Sequence, residues 1–266
     1  TRAIAGFPKA GTSYGLLSSG VARALYPPDP EDPDSDLNEA RGGDAVRGDT
    51  DRDVTILRID VNLPTGTNCL VGLDFRFFSI EYPEYVGSKY NDAFIFEIDQ
   101  STWSSLGSEI TAPGDLAFDE LGNIISINAA GAATMTAALA TGTSSDGSTR
   151  TLTASAPITA GQHSLYFSIF DQGDMILDSA VLLDNLRFGQ VADPATQCKP
   201  GVVPVTGAVL TAPAPTFTDG ANPSYTIPND PKVTYTADGN PVSAGIHEAS
   251  PGDTVVIVAS VGGDDV

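Results

Sequence analysis

VTILRIDVNLPTGTNCLVGLDFRF, residues Val54 to Phe77, decides the fold. Thr55, Leu57, Ile59, Val61 and Leu63 share one parity while Arg58 and Asp60 take the other, the two-residue period of a strand with one face on a core. Pro64-Thr65-Gly66 turns the chain. In the following run Cys69, Val71, Leu73, Phe75 and Phe77 oppose Gly72, Asp74 and Arg76, which predicts a second strand with Cys69 at its start on the apolar side.

The alternation recurs on both sides of this pair. Downstream, Phe94, Phe96 and Ile98 alternate with Ile95, Glu97 and Asp99, and further strands carry Leu165, Phe167 and Ile169 and then Ala180, Leu182, Leu186 and Phe188. Pro113-Gly114-Asp115, Leu121-Gly122-Asn123 and Ser145-Asp146-Gly147 are turn chemistry between short strands. Residues 124–143 (IISINAAGAATMTAALATGT) are rich in alanine, but their Thr, Gly and Ile interruptions predict small-residue strands. Upstream, the first 26 residues predict an edge strand with turns and a helical turn near Leu25. Pro27 to Asp53, with ten acids and four prolines between Pro27 and Pro33, offers too little apolar surface to offset ordering and reads as a long exposed loop. Arg47-Gly48-Asp49 lies in it, a tripeptide that some animal cell-surface receptors read, and one that a segment of this composition contains by chance.

Many short strands without a long helical period predict an all-β chain. Residues 1–193 read as a jelly-roll-like β-sandwich, 194–204 as a Pro- and Gly-containing linker, and 205–266 as a small Ig-like module with strands SYTIP, KVTYTA, PVSAG and TVVIVAS that reads as cut short.

The 34 acidic and 13 basic residues leave a net charge of −21, which repels phosphate backbones and anionic membranes and argues against nucleic-acid binding. No window is long and apolar enough for a membrane-spanning helix, and Thr1 opens without a basic and then apolar leader, so the expectation is a soluble, mature or trimmed segment. The two cysteines, Cys69 and Cys198, can pair in an oxidising compartment, and closing so long a loop is worth about 4–5 kcal/mol in the chain-entropy model. Two Cys and two His at these separations do not make a zinc site.

The acids are placed in two stretches nearly eighty residues apart. Glu81, Glu84, Asn91 and Asp92 surround Gly87, and Asp171, Asp174, Asp178, Asp184 and Asn185 follow a strand and surround Gly173. If both meet at one end of a sandwich, their carboxylates repel unless a hard cation lies between them, and Ca2+ with its six to eight oxygen ligands is the expected one. The expected ligands are Asp171, Asp174, Asp178, Asp92, Asn91, Glu81 and Asp184. The competing reading is that Asp171 and Asp174 cap a loop by accepting from backbone amides. Tyr82, Tyr85 and Tyr90, with Lys89, flank the first turn and form a candidate recognition rim.

Four motifs, LLSSG (Leu16 to Gly20), FFSIEYPEYVGSKYNDAFIFEID (Phe77 to Asp99), SSDGST (Ser144 to Thr149) and IFDQGDMILDSAVLLDNL (Ile169 to Leu186), occur in an order that resembles the choice-of-anchor L domain of bacterial secreted and cell-surface proteins over about residues 11–189. Ile80 stands where that pattern commonly has an acid beside Glu81. The C-terminal segment is similar to Ig-like stalk repeats. The resemblance implies an extracellular β-sandwich at the distal end of a surface protein, and domains of similar type in calcium-dependent adhesins bind peptide or glycan ligands. With the acidic stretches and no visible substrate cleft, the expectation is a calcium-binding, non-enzymatic recognition module, monomeric within a longer surface protein. Alternatives are a purely structural calcium-held spacer and a hydrolase using paired carboxylates among Glu81, Glu84 and Glu97. His163 and His247 lack a nucleophile-elbow serine and read as surface or strand-start residues.

Overall fold

A computed structural model describes residues 3–25 and 45–200 and, in the C-terminal part, 206–211, 216–218, 224–227, 233–237, 240–248 and 257–261. Two sheets face each other. In the first, β1 (Gly15–Ser18), β11 (Ser179–Gln190) and β3 (Cys69–Ser79) lie side by side, and β3 continues onto the short β8 (Gly147–Ser148) and β9 (Leu152–Pro157). The second runs β2 (Asp51–Leu63), β10 (Gly161–Gln172), β4 (Ala93–Ile98) and β7 (Ile125–Ser126), with every neighbouring pair antiparallel. A separate hairpin pairs β5 (Ser104–Leu106) with β6 (Glu109–Thr111).

The alternation read from the sequence supplies the core. Leu57, Ile59 and Val61 of β2, Leu165, Phe167 and Ile169 of β10, and Phe94 and Phe96 of β4 pack against Leu73, Phe75 and Phe77 of β3 and Val181 and Leu183 of β11. Phe96 and Phe167 stack with centroids 4.8 Å apart. Each such buried side chain contributes about 1.5–3 kcal/mol over its exposed state. The protein is thus an all-β sandwich. Its first strand forms one edge of a sheet, followed by a helical turn at Ala22–Leu25 as the sequence predicts. Ile4, Phe7 and Leu25 cover Phe78, Ala180 and Leu182 on that sheet's outer face.

Four local readings are corrected. The parity of β3 breaks at Gly72, where the pairing register shifts: Leu70 joins Leu73 on the core face, while Cys69 and Val71 face the other way beside Val191 and Cys198. Cys69 and Cys198 are bonded there. Residues 124–143 carry only a two-residue strand and then two short helical segments, Ile127–Gly131 and Ala137–Ala140, in which alanine's helical preference prevails over the interruptions. The segment read as loop up to Asp53 ends earlier, because β2 begins at Asp51; residues 26–44 of it lie outside the described residues. Of the C-terminal strands, expected in a separate module, β13 (Thr216–Thr218), β14 (Ser224–Ile227) and β17 (Gly245–Glu248) form a three-stranded sheet of their own, while the others join the sandwich sheets. β12 (Thr206–Thr211) pairs with β11, and β18 (Ile257–Val261) pairs in parallel with β2 and carries β15 (Val233–Ala237) and then β16 (Asn240–Val242) beside it. Ile227 and Tyr235 are buried in the same core, so these strands cover edges that β2 and β11 would otherwise expose.

Candidate functional site

The two acidic stretches converge at one end of the sandwich. β10 delivers Asp171 and Gln172, the turn before β4 delivers Asn91 and Asp92, the turn after β3 delivers Glu81, and Asp178 precedes β11. Backbone and side-chain hydrogen bonds lock these ends together. Asn91 N donates to Gln172 O (3.1 Å) and Ile80 N to Asp178 O (3.4 Å). Gln172 N donates to Asp92 Oδ1 (3.1 Å), and Ser179 Oγ to Asp92 Oδ2 (2.7 Å). Gly173 has a φ of +105°, and a Cβ there would lie 2.8 Å from Lys89 O and 3.0 Å from Tyr90 Cδ1, so the second loop rests directly on the first.

A fifth acid completes the group. Asp53 sits in left-handed backbone (φ +45°) where the register of β2 against β10 slips between Ile169 and Asp171. One carboxylate oxygen each from Asp53, Asp171 and Asp178 lies within 4.8 Å of the others. All three are buried, as are Asp92 and Glu81. Neither oxygen of Asp171 accepts a hydrogen bond, nor does Glu81 Oε2. Among the described residues, no Lys, Arg or His forms an ion pair with Glu81, Asp92 or Asp171.

Burial sets the electrostatics. It drives the Asp171 carboxyl well above its ordinary range, with the charges of Asp92 and Asp178 adding to the effect. Glu81 is pushed up to about 10, by burial first and then by the charge of Asp92. Asp92 rises to about 7 because burial outweighs the hydrogen bonds from Ser179 and Gln172. Left to itself, Glu81 holds its proton at neutral pH, and Asp92 is about half protonated there. A hard divalent cation could replace the protons: the donors are all oxygen, and Ca2+–oxygen bonds of about 2.3–2.6 Å let one ion join donors on opposite sides up to about 5 Å apart. Asp53, Asp171 and Asp178 are the residues that could hold it, with Glu81 and Asp92 alongside.

Other expected ligands are placed differently. Asp174 is half-buried at the rim, and its Oδ1 accepts from Ile176 N at 3.1 Å. The side chain of Asn91 is committed to neighbouring loops, accepting from Asn128 N (2.8 Å) and donating to Ser108 O (2.9 Å). Asp184 is corrected outright. It pairs across to Asp74 midway along β11, where its carboxylate accepts from the amides of Lys9, Ala10 and Asn185. The register slip beside left-handed Asn185 (φ +57°) is what lets an acid occupy an apolar strand.

The aromatic rim divides. Tyr85 and Tyr90 meet edge-to-face at 5.3 Å, and Lys89 Nζ lies 4.8 Å from the Tyr90 ring centroid. Tyr82 instead packs on the core, and a Cβ on Gly147 would come within 2.3 Å of its ring. Arg47-Gly48-Asp49 is built into the fold: Arg47 donates to Ser101 O and lies over Trp103, Asp49 accepts from Gly107 N, and a Cβ on Gly48 would meet Ser105 O at 2.0 Å.

Asp53 is the residue that sequence reasoning missed. Its signal was present, because counting back from Leu57 by twos reaches Asp53, an acid on the parity that faces the core.

No curated protein and no solved structure matches the chain, and no helix among the described residues is long and apolar enough to cross a membrane. The family model of the choice-of-anchor L domain matches residues 16–189, a span that contains all five buried acids and both sheets of the sandwich up to β11. The chain therefore belongs to the choice-of-anchor L domain family, a module of secreted and cell-surface proteins.

Proposed function

We propose that this domain is a calcium-stabilised recognition module, non-enzymatic and extracellular, that binds a peptide or glycan. The observation that carries the reading is the meeting of Asp53, Asp171 and Asp178 in a buried cluster flanked by Asp92 and Glu81. Bound there, Ca2+ would supply the positive charge the clustered carboxylates lack, with their oxygens as its ligands. The chain's own residues do the rest: Asp53 anchors the start of β2, Asp171 the end of β10 and Asp178 the start of β11, so strand ends from both sheets are drawn to one point. Tyr90 rests against Gly173, which links this point to the rim formed by Tyr85, Tyr90 and Lys89. Lys89 is exposed and the two tyrosines are half-buried, a surface with rigid aromatic area and a cation.

The spacer reading is favoured on one specific point. Asp171 and Asp178 have no exposed surface, so an ion among them is enclosed and orders the rim without touching the partner. The hydrolase reading loses ground, because Glu81 is buried and Glu97 accepts from Thr102 N and Oγ1 rather than facing a solvent-borne glycoside. Terbium(III) tests the proposal as a luminescent stand-in for Ca2+. Tyrosine-sensitised emission that calcium competes away supports it, and emission unchanged by Asp171→Asn refutes it.

A further inference from the structure

About 23 Å along β10 from the acidic cluster, seven residues at the strand rise, the second sheet holds a pocket lined mainly by polar side chains. Its volume is about 330 Å³, at the small end of ligand sites and sized for a single compact unit. Arg58, Asp60 and Asn62 stand on the β2 parity opposite the core, facing Tyr166, Ser164 and Gln162 of β10 in register. Arg58 Nε donates to Asp60 Oδ1 (2.7 Å) and its guanidinium to Ser164 Oγ (3.0 Å), while Ser164 Oγ donates back to Asp60 Oδ1 (2.6 Å). The guanidinium also lies 5.7 Å from the Tyr166 ring centroid. At the other side His163 Nδ1 bonds Asp99 (3.0 Å), and its Nε2 lies 2.9 Å from Thr159 O. Asp99 has left-handed backbone (φ +66°) and also accepts from Ser164 N at 3.2 Å.

These contacts fix the orientation of the pocket's walls before any ligand arrives. Arg58 is matched by Asp60, so the pocket does not call for a free phosphate or carboxylate, and the two carboxylates would oppose one. Among its lining residues Val61 is the one aliphatic side chain and the His163 imidazole the one aromatic ring, too little apolar wall to favour a hydrophobic ligand. What it offers is a dense alternation of donors and acceptors with planar ends, and the amide-bearing side chains of Asn62 and Gln162 are exposed as a cross-strand pair. Vicinal hydroxyls, each both donor and acceptor, match that pattern. The geometry points to a saccharide-binding subsite here, taking one neutral hexose unit. It is separate from the rim at Tyr85 and Tyr90 and needs no metal.

The chain contains two histidines, His163 in the pocket and His247 outside it, so the histidine ring signals in NMR give a probe and an internal reference. The full chain is titrated with methyl β-galactopyranoside, methyl α-mannopyranoside and methyl β-glucopyranoside, and with ethanolamine as a small cation attracted only by the carboxylates. The expected result is a saturable shift of the His163 signals with at least one glycoside and none at His247. Asn62→Ala and Gln162→Ala, at exposed positions that leave folding intact, each weaken binding at least about tenfold, the scale of a lost hydrogen bond or two. The inference is overturned if no glycoside shifts His163, if both rings move together, if the variants bind as well as the parent, or if only ethanolamine acts.

Discussion

Asp171→Asn separates a cation site from a set of buried acids that share protons. Asp171 has no exposed surface, its two oxygens accept no hydrogen bond, and the charges of Asp92 and Asp178 add to burial in raising its carboxyl. Without calcium at pH 8, the carboxyl is ionised in the unfolded chain but opposed as an anion in the folded site, a cost the amide does not carry, so the variant melts higher than the parent in chelator. With calcium the order reverses, because the amide removes a charged ligand. If the affinity is that of extracellular calcium modules, Kd on the order of 0.1 mM, then about 10 mM calcium stabilises the parent by about 2.7 kcal/mol. For a chain of this size that is a rise in Tm of about 5–11 °C. Differential scanning fluorimetry in chelator and in calcium reads both numbers. Asp171→Asn should shift by less than about 2 °C on calcium addition, which corresponds to a residual Kd about a hundredfold weaker. A variant that keeps the full calcium shift, or one that melts below the parent in chelator, refutes the reasoning.

Removal of metal also gives a pH signature. Asp92 is raised from 3.8 in the unfolded chain to about 7 in the folded one, so its contribution is complete below about pH 4 and is lost as pH rises through 7. Its share is about 4 kcal/mol, and Glu81, raised to about 10, extends the loss further into base. Urea midpoints in chelator should therefore fall from pH 5 to pH 8, while those in calcium should not. Asp184→Ala leaves the amides of Lys9, Ala10 and Asn185 without their acceptor and should cost about 1–3 kcal/mol equally with and without calcium, as measured by urea unfolding. Gly173→Ala places a Cβ 2.8 Å from Lys89 O at a φ of +105° and should reduce both stability and the calcium shift, because the two acidic loops are pushed apart.

The strands were legible because one face of each is buried and the side-chain period is two. Leu57 to Leu63, Leu73 to Phe77 and Phe94 to Phe96 needed no tertiary information. The convergence of the Asp92 and Asp171 stretches was also readable, since both place acids at the ends of apolar runs. Bulges were not. A register slip moves side chains across the sheet with no compositional mark, which is why Cys69 and Val71 were assigned to the wrong face and Asp184 was grouped with the cluster. Asp53 was hidden for a related reason: its polar neighbours made the start of β2 resemble the loop before it. The pairing of β18 with β2 joins residues about two hundred positions apart, and an isolated alternating run does not say whose edge it will cover.

Isothermal titration of calcium into chelator-stripped protein at pH 7, repeated in buffers of different ionisation enthalpy, tests the central claim most directly. The cluster must give up protons to take the ion, since Glu81 and Asp92 hold theirs at or above neutrality. The account predicts saturable binding whose apparent enthalpy varies with the buffer, showing proton release, and its loss in Asp171→Asn. Absence of binding heat in every buffer, with no change in Tm, would contradict it.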